Sequence, residues 1–368
     1  MQKEGIKMMH QHGGDLDAIE KQYHIPKKEI IDFSGNINPF GFPTSVKKSL
    51  TQNLDILSVY PDKNYTLLRK AIANYTGANF EHIVVGNGST ELISTFIKTT
   101  KAQKTLIVGP AYSEYEREAE LCGSNYHYFA LEEKESFCIN LSKLWTALTP
   151  EIGLFILCNP NNPTGTVVNT AQLKQILQHC QKNKTAVMID ETYMEFCDDL
   201  EECCAIPLTL QFDNLFVIRG TSKFFAAPGL RLGYAVSSNE TFLKTLKQQQ
   251  DPWSVNSVAA FAGELLFSDQ QFIQQTKDLI SNERKRCIAE LRTWKNITVY
   301  DSNSNFILLK LQTDKIDAHK LFEILIQKKL LIRDASSFTF LDDTFLRFCI
   351  LLPEQNTLLL KELKKLVE

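Results

Sequence analysis

From about residue 80 to 240, short apolar runs recur between stretches of helical periodicity: IVVG at 83–86, TLIVG at 105–109, IGLFILC at 152–158, AVMID at 186–190, LFVIR at 215–219 and GYAVS at 233–237. Strands that alternate with helices imply a mostly parallel sheet. Most of these runs are apolar without polar alternation, as expected for strands covered by helices on both faces. In such a sheet a ligand sits at the carboxyl ends of the strands, so the chemistry is expected in the residues that close each run.

The last third of the chain reads differently. A long helical stretch near 257–292 precedes strands near 297–300 and 305–310, a helix near 317–328, strands in LLIRD and FLRFCI, and a final helix. This is an α+β unit. The first 45 residues are too short and too turn-rich to fold alone and are assigned to it as an arm. The expected organisation is a large α/β domain over 46–274 and a small α+β domain formed by 1–45 and 275–368, which a chain of 368 residues accommodates. A formal charge of −3 with no basic block argues against a nucleic-acid partner and leaves small molecules. The opening MQKEGIKMMHQHGGD lacks the apolar core of a secretion signal, and no run reaches the ~18 apolar residues of a membrane span, so the expected compartment is the cytoplasm. Nine cysteines with no CxxC pair read as reduced thiols, and no metal site is expected.

Lys223 in RGTSKFFAAPGLRLGY follows the run LFVIR. A lysine at a strand end in apolar company can be held neutral and condense with an aldehyde; taken alone, the segment reads more simply as a lysine whose stem packs while its ammonium reaches water. Eight residues on, Arg231 stands among small neighbours that let a guanidinium approach a phosphate bidentately, and Ser222 adds a hydroxyl. GNGSTELISTFI runs through a turn containing Gly88 into a helix starting near Ser89 or Thr90. The free amides of a helix amino terminus favour an anion there, although a plain Ser/Thr cap would look the same. Asp190 closes AVMID, where a carboxylate needs a cationic partner; a pyridinium N–H would supply one, and a helix cap is the plainer alternative. Tyr193 and Asn162, the latter in the Pro/Asn-rich turn CNPNNPTG, stand at the same edge as donors to a ring oxygen, though turn chemistry alone explains the asparagines. In the small unit, Arg333 in LLIRD and Arg347 in FLRFCI are arginines inside β-runs, costly unless paired with an anion.

Taken together, the order Asn162, Asp190, Lys223, Arg231 along one α/β sheet resembles the fold-type I pyridoxal 5'-phosphate (PLP) enzymes, in particular the class I/II aminotransferase superfamily, over nearly the whole chain. The resemblance implies PLP as cofactor, Tyr112 of GPAYSEY stacked on its ring, and a homodimer in which Tyr60 of VYPDKNY reaches the partner's cofactor phosphate. It also implies that Arg347 binds a substrate carboxylate, while Arg333 resembles the extra arginine of the histidinol-phosphate aminotransferase branch. Within that branch, HQHGGDLDAIEKQYHI followed by IIDFSGNINPFGFP resembles the threonine-phosphate decarboxylase family of cobalamin biosynthesis. By that likeness His12 of the HGG turn is a phosphate ligand. Asp15 stands where that family commonly has Asn, and Tyr193 where such decarboxylases often have Phe. The implied substrate is L-threonine O-3-phosphate or L-serine O-phosphate, with histidinol-phosphate aminotransfer as the alternative. Geometry selects between them: a carboxylate held out of the ring plane by Arg347, Asn162 and the backbone near Gly35 leaves as CO2, whereas a Cα–H bond placed there beside Lys223 begins transamination.

Overall fold

The computed structural model describes residues 13–368. Its strands are β1 (Ile31–Asp32), β2 (Ile83–Gly86), β3 (Lys104–Gly109), β4 (Asn125–Ala130), β5 (Leu154–Cys158), β6 (Ala186–Asp190), β7 (Leu215–Gly220), β8 (Gly233–Val236), β9 (Ile297–Val299), β10 (Phe306–Leu311), β11 (Leu330–Leu331), β12 (Arg333–Asp334) and β13 (Phe345–Cys349). Seven of them form one sheet in the order β2-β8-β7-β6-β5-β3-β4, parallel except for β8, which runs against both β7 and β2.

Successive side chains of a strand point to opposite faces, and here each face meets its own apolar layer. Leu215 and Val217 of β7 join one core cluster, while Phe216 and Ile218 join another with Leu92, Phe96 and Ile97 of the helix Ser89–Thr100. That two-sided burial is why the runs lack polar alternation. β4 is the strand the runs did not reveal. NYHYFA lies at the sheet edge with every other residue near its start exposed, so no buried face demanded an apolar pattern.

A second, antiparallel sheet has the order β12-β13-β10-β9. The stretch LLIRD, expected as one strand, divides: Leu330–Leu331 pairs in parallel with Ile31–Asp32, and Arg333–Asp334 joins the four-stranded sheet. The pairing of β1 with β11, with Ile19 and Ile30 packed on Ile326 and Leu331, fastens the amino-terminal segment beside the small sheet. The helical stretch near 257–292 is two helices, Ser257–Leu266 and Gln270–Leu291, because Asp269 accepts from Phe272 N and caps a new start. The second helix runs through residue 274, so we propose that the two domains divide by packing around a continuous helix, not at a linker. Among the described residues no helix is long and apolar enough to cross a membrane.

One close approach fixes the sheet to the turn above it. A Cβ on Gly233 would lie 2.5 Å from Ser89 N and 2.7 Å from Gly88 C. Gly233→Ala is therefore expected to destabilise the protein by roughly 1–3 kcal/mol, the usual cost of overpacking, read as a lower urea midpoint. An unchanged midpoint would show that the turn yields freely.

Candidate active site

The sheet ends its strands at a common edge, with Cys158 of β5 in register with Asp190 of β6. Above this edge lies a cavity of about 250 Å3, closed on the other side by Arg333 and Arg347 of the small sheet. Ser89, Thr90, Tyr112, Asn162, Asp190, Tyr193, Ser222, Lys223 and Arg231 line it, as do Gly35, Arg333 and Arg347. Thus residues spread over some three hundred positions meet in one space.

At its floor, Asp190 is 4% exposed. Its Oδ1 accepts from Thr192 N (2.9 Å) and Thr192 Oγ1 (2.6 Å), and its Oδ2 from Tyr115 Oη (2.6 Å). Burial raises the carboxyl above its ordinary range, and these donors oppose that. None of the donors is charged, so the carboxylate still has room for a cationic N–H.

Lys223 donates from Nζ to Gly35 O (2.8 Å). Burial first, then the nearby Arg347 and, more weakly, Arg231, bring its amine down to about 8, against the opposing pull of Cys349 and Asp32. Loop 32–36 organises this contact. The Asp32 carboxylate accepts from Ser34 N, Ser34 Oγ and Gly35 N, leaving the carbonyls of Ser34 and Gly35 to face two cations, Arg347 and Lys223.

Arg347, buried, donates from Nη1 to Asn162 Oδ1 and from Nη2 to Ser34 O (2.8 Å), while its Nε has no acceptor. It stands directly across from Arg333 in the strand register. Arg333 donates to Ser337 Oγ (2.6 Å), and burial followed by the Arg347 charge lowers it to about 10. Phe338 lies against both guanidiniums, 5.5 Å from Arg333 and 5.8 Å from Arg347. Among the described residues, neither arginine, nor Arg231, has a carboxylate within ion-pair distance.

The end of the cavity beside Arg231 is built by close approach. Gly88, at φ +82°, caps the helix Ser89–Thr100, and a Cβ there would lie 2.4 Å from Arg231 Nη2. The left-handed φ favours glycine there, and the missing Cβ leaves room for the guanidinium. Tyr112 stands over the cavity edge-on to Tyr115 at 5.7 Å, its phenol pushed up to about 12 by burial. Tyr193 Oη accepts from Asn36 Nδ2 (3.2 Å) and its ring meets Phe306 at 5.1 Å.

Two expected residues stand apart. Tyr60 is 77% exposed, stacked on Trp253 at 4.6 Å outside the cavity; in a single chain it reaches no part of the site. His12 lies outside the described residues, while Gly13, next to it, lines the cavity and Gly14 N donates to Ser34 Oγ (2.9 Å). Sequence reading passed over Tyr115, Thr192, Ser34, Asn36 and Phe338. The signal for two of them is present in retrospect: two tyrosines three apart in GPAYSEY, and a hydroxyl two residues after Asp190, the spacing at which an aspartate side chain meets its own turn.

Residues 28–363 match the family Aminotransferase class I and II, and the chain belongs to it; the architecture is that of the fold-type I PLP enzymes. Among its relatives, a Caldanaerobacter subterraneus subsp. tengcongensis protein provisionally named threonine-phosphate decarboxylase is 39% identical over 367 residues, covering 100% of this chain and 96% of the relative. The threonine-phosphate decarboxylase of Salmonella typhimurium is 33% identical over 356 residues, covering 97% and 96%. The crystal structure of histidinol-phosphate aminotransferase from Clostridium acetobutylicum superposes with a TM-score of 0.84 at 33% identity, covering 91% of this chain and 98% of that one.

The unfolded chain holds the Lys223 proton with the ordinary lysine affinity near 10.5, and the folded chain releases it near 8. Between these values the unfolded state binds more protons, so stability gains from this group as pH rises. The stability of the cofactor-free protein relative to Lys223→Met should therefore increase from pH 8 to pH 10.5 in urea titrations. A flat difference would mean an amine of ordinary basicity.

Proposed function

We propose that this chain is a PLP-dependent decarboxylase that converts L-threonine O-3-phosphate, or L-serine O-phosphate, into an amino-alcohol phosphate for cobamide assembly. The observation that carries the reading is the facing pair Arg333 and Arg347, two guanidiniums opening on one cavity with no carboxylate partner among the described residues. Like charges directly opposite on adjacent strands destabilise a sheet unless an anion joins them. A substrate with a carboxylate and a phosphate supplies one for each. Arg231 at the helix amino terminus is left for a third anion, the cofactor phosphate.

The residues present fit PLP. Ser89, Thr90, Ser222 and Arg231 would hold its phosphate, Asp190 its ring nitrogen, Asn162 and Tyr193 its ring oxygen, and Tyr112 its ring face. When bound, PLP supplies an aldehyde carbon for the substrate amine and an electron-accepting ring. The chain does the rest. Lys223, with its amine lowered to about 8, has a substantial neutral fraction for covalent work and an ammonium form that can return a proton to Cα. Arg347 and Asn162 hold the carboxylate, Arg333 the substrate phosphate, and His12 of the arm is proposed to join it there.

Support for decarboxylation comes from the relatives named threonine-phosphate decarboxylase, which match nearly end to end, and from Gly13 and Gly14 of the HGG turn docking on Ser34 at the cavity wall. Aminotransfer on histidinol phosphate is the second reading, favoured by the Tyr193 hydroxyl and by the aminotransferase superposition.

The test is incubation with phosphothreonine and no keto acid. Repeated turnover with release of CO2 and amine is expected, whereas turnover that requires 2-oxoglutarate and yields glutamate overturns the assignment. Arg333→Gln should raise KM for the phosphorylated substrate about ten- to a hundredfold, matching the roughly 1.5–3 kcal/mol of a hydrogen bond to a charged group, with PLP absorbance intact.

We also propose a homodimer in which Tyr60 reaches the partner's cofactor phosphate. Leu54, Leu57, Val59, Tyr60 and Leu67 are all more than half exposed, an apolar surface of the kind that marks an interface. Leu57→Arg should sediment as a monomer with weakened PLP retention, and a variant that remains dimeric would move the interface elsewhere.

A further inference from the structure

The three hydrogen bonds to Asp190 are unevenly divided between its oxygens. Both Thr192 donors go to Oδ1; Oδ2 receives only Tyr115 Oη, at 2.6 Å. Thr192 is two residues away and ties Oδ1 to the turn that Asp190 itself begins, which leaves the carboxylate plane free to swing about that oxygen. Tyr115 comes from a different element, the first turn of the helix Glu114–Leu121, and is 1% exposed. Tyr115 Oη donates to Asp190 Oδ2, and the neighbouring Cys158 thiol gives its own hydrogen to Pro160 O (3.2 Å) and not to Tyr115.

We infer that Tyr115 is a positioning residue: by tethering Oδ2 from outside the strand, its hydroxyl keeps the Asp190 carboxylate ionised and turns its remaining lone pair toward the cavity. The inference rests on the reading that the cavity takes PLP and deepens it. Burial favours the neutral carboxylic acid, and every donor that opposes it here is uncharged. A carboxyl that had taken up its own proton would offer the ring nitrogen no negative charge, and the electron-accepting character of the ring depends on that nitrogen staying protonated. Tyr115 therefore acts through Asp190 and touches no reacting atom.

Tyr115→Phe removes one oxygen and keeps the ring. In cofactor-free protein carrying 13C-labelled aspartate, with the Asp190 signal identified by its loss in Asp190→Asn, the titration of Asp190 is expected to move up by about one unit. Affinity for PLP should fall roughly tenfold, one such unit expressed in binding, while affinity for the analogue with carbon in place of the ring nitrogen stays nearly constant. In the Asp190→Asn background the same substitution should change neither affinity. An unmoved titration, or equal losses for PLP and its analogue, overturns the inference. If Tyr115→Phe does not fold, a ring-fluorinated tyrosine at position 115, a stronger donor of the same shape, should move the Asp190 titration down, and no movement overturns it. If the wild-type protein binds PLP and the analogue equally, the ring-nitrogen reading fails, while the titration still decides whether Tyr115 holds Asp190 ionised.

Discussion

Arg347 is held by two oxygens that carry no net charge, the side-chain carbonyl of Asn162 and the main-chain carbonyl of Ser34, and much of the site is arranged around this uncompensated guanidinium. Its charge helps to depress Lys223 and Arg333. Its place on β13 opposite Arg333 makes the small sheet the cationic wall of the cavity. A buried charge without a counter-ion costs several kcal/mol even after the protein relaxes around it. In the proposed reading a ligand anion would remove that cost, since whatever binds only the folded state stabilises that state in proportion to its affinity.

The large sheet contributes the complementary constraint, which is steric. Gly233 lets β8 run under the Gly88–Ser89 turn, and Gly88 lets that turn lie against the Arg231 guanidinium. Both contacts lie closer than any Cβ permits. The helix Ser89–Thr100 thus presents its amino terminus beside Arg231 with its first turn packed on the backbone of Gly233, and the hydroxyls of Ser89 and Thr90 follow from that placement. This end of the cavity is shaped by two glycines, and the opposite wall by unpaired charge.

The pattern that made the large sheet legible, apolar runs closed by polar residues, also pointed to Asp190 and Lys223, because a strand buried on both faces leaves a polar residue little structural reason to stand at its end. β4 escaped since an edge strand buries too little to impose a pattern. Tyr115 and Thr192 escaped for another reason: their work is a hydrogen bond to Asp190, and Tyr115 reaches it from seventy-five positions away. The split of LLIRD between two sheets was equally hidden, as no turn residue separates the two halves. Tyr60 has no legible role in one chain, in sequence or in structure, because the role proposed for it needs a second copy.

Whether a carboxylate or a proton leaves Cα depends on how the substrate is turned, and the arrangement of cations bears on that turn. Arg333 and Arg347 occupy directly opposed positions, where Cβ atoms are about 4.5–5.5 Å apart, and Phe338 lies against both guanidiniums. Two anions taken by this pair suit groups that are near neighbours on one small skeleton. In O-phosphothreonine the carboxylate and the phosphate ester hang from adjacent carbons, so one small skeleton could supply both anions. If, as proposed, Arg333 held the phosphate and Arg347 the carboxylate, rotation about the bond between Cα and the amine nitrogen would no longer be free. Asn162 would then matter twice: its Oδ1 accepts from Arg347, and in the proposed reading its Nδ2 would serve the cofactor's ring oxygen. One side chain would thereby link the group that holds the carboxylate to the plane of the ring, the coupling that a reaction controlled by one torsion angle requires.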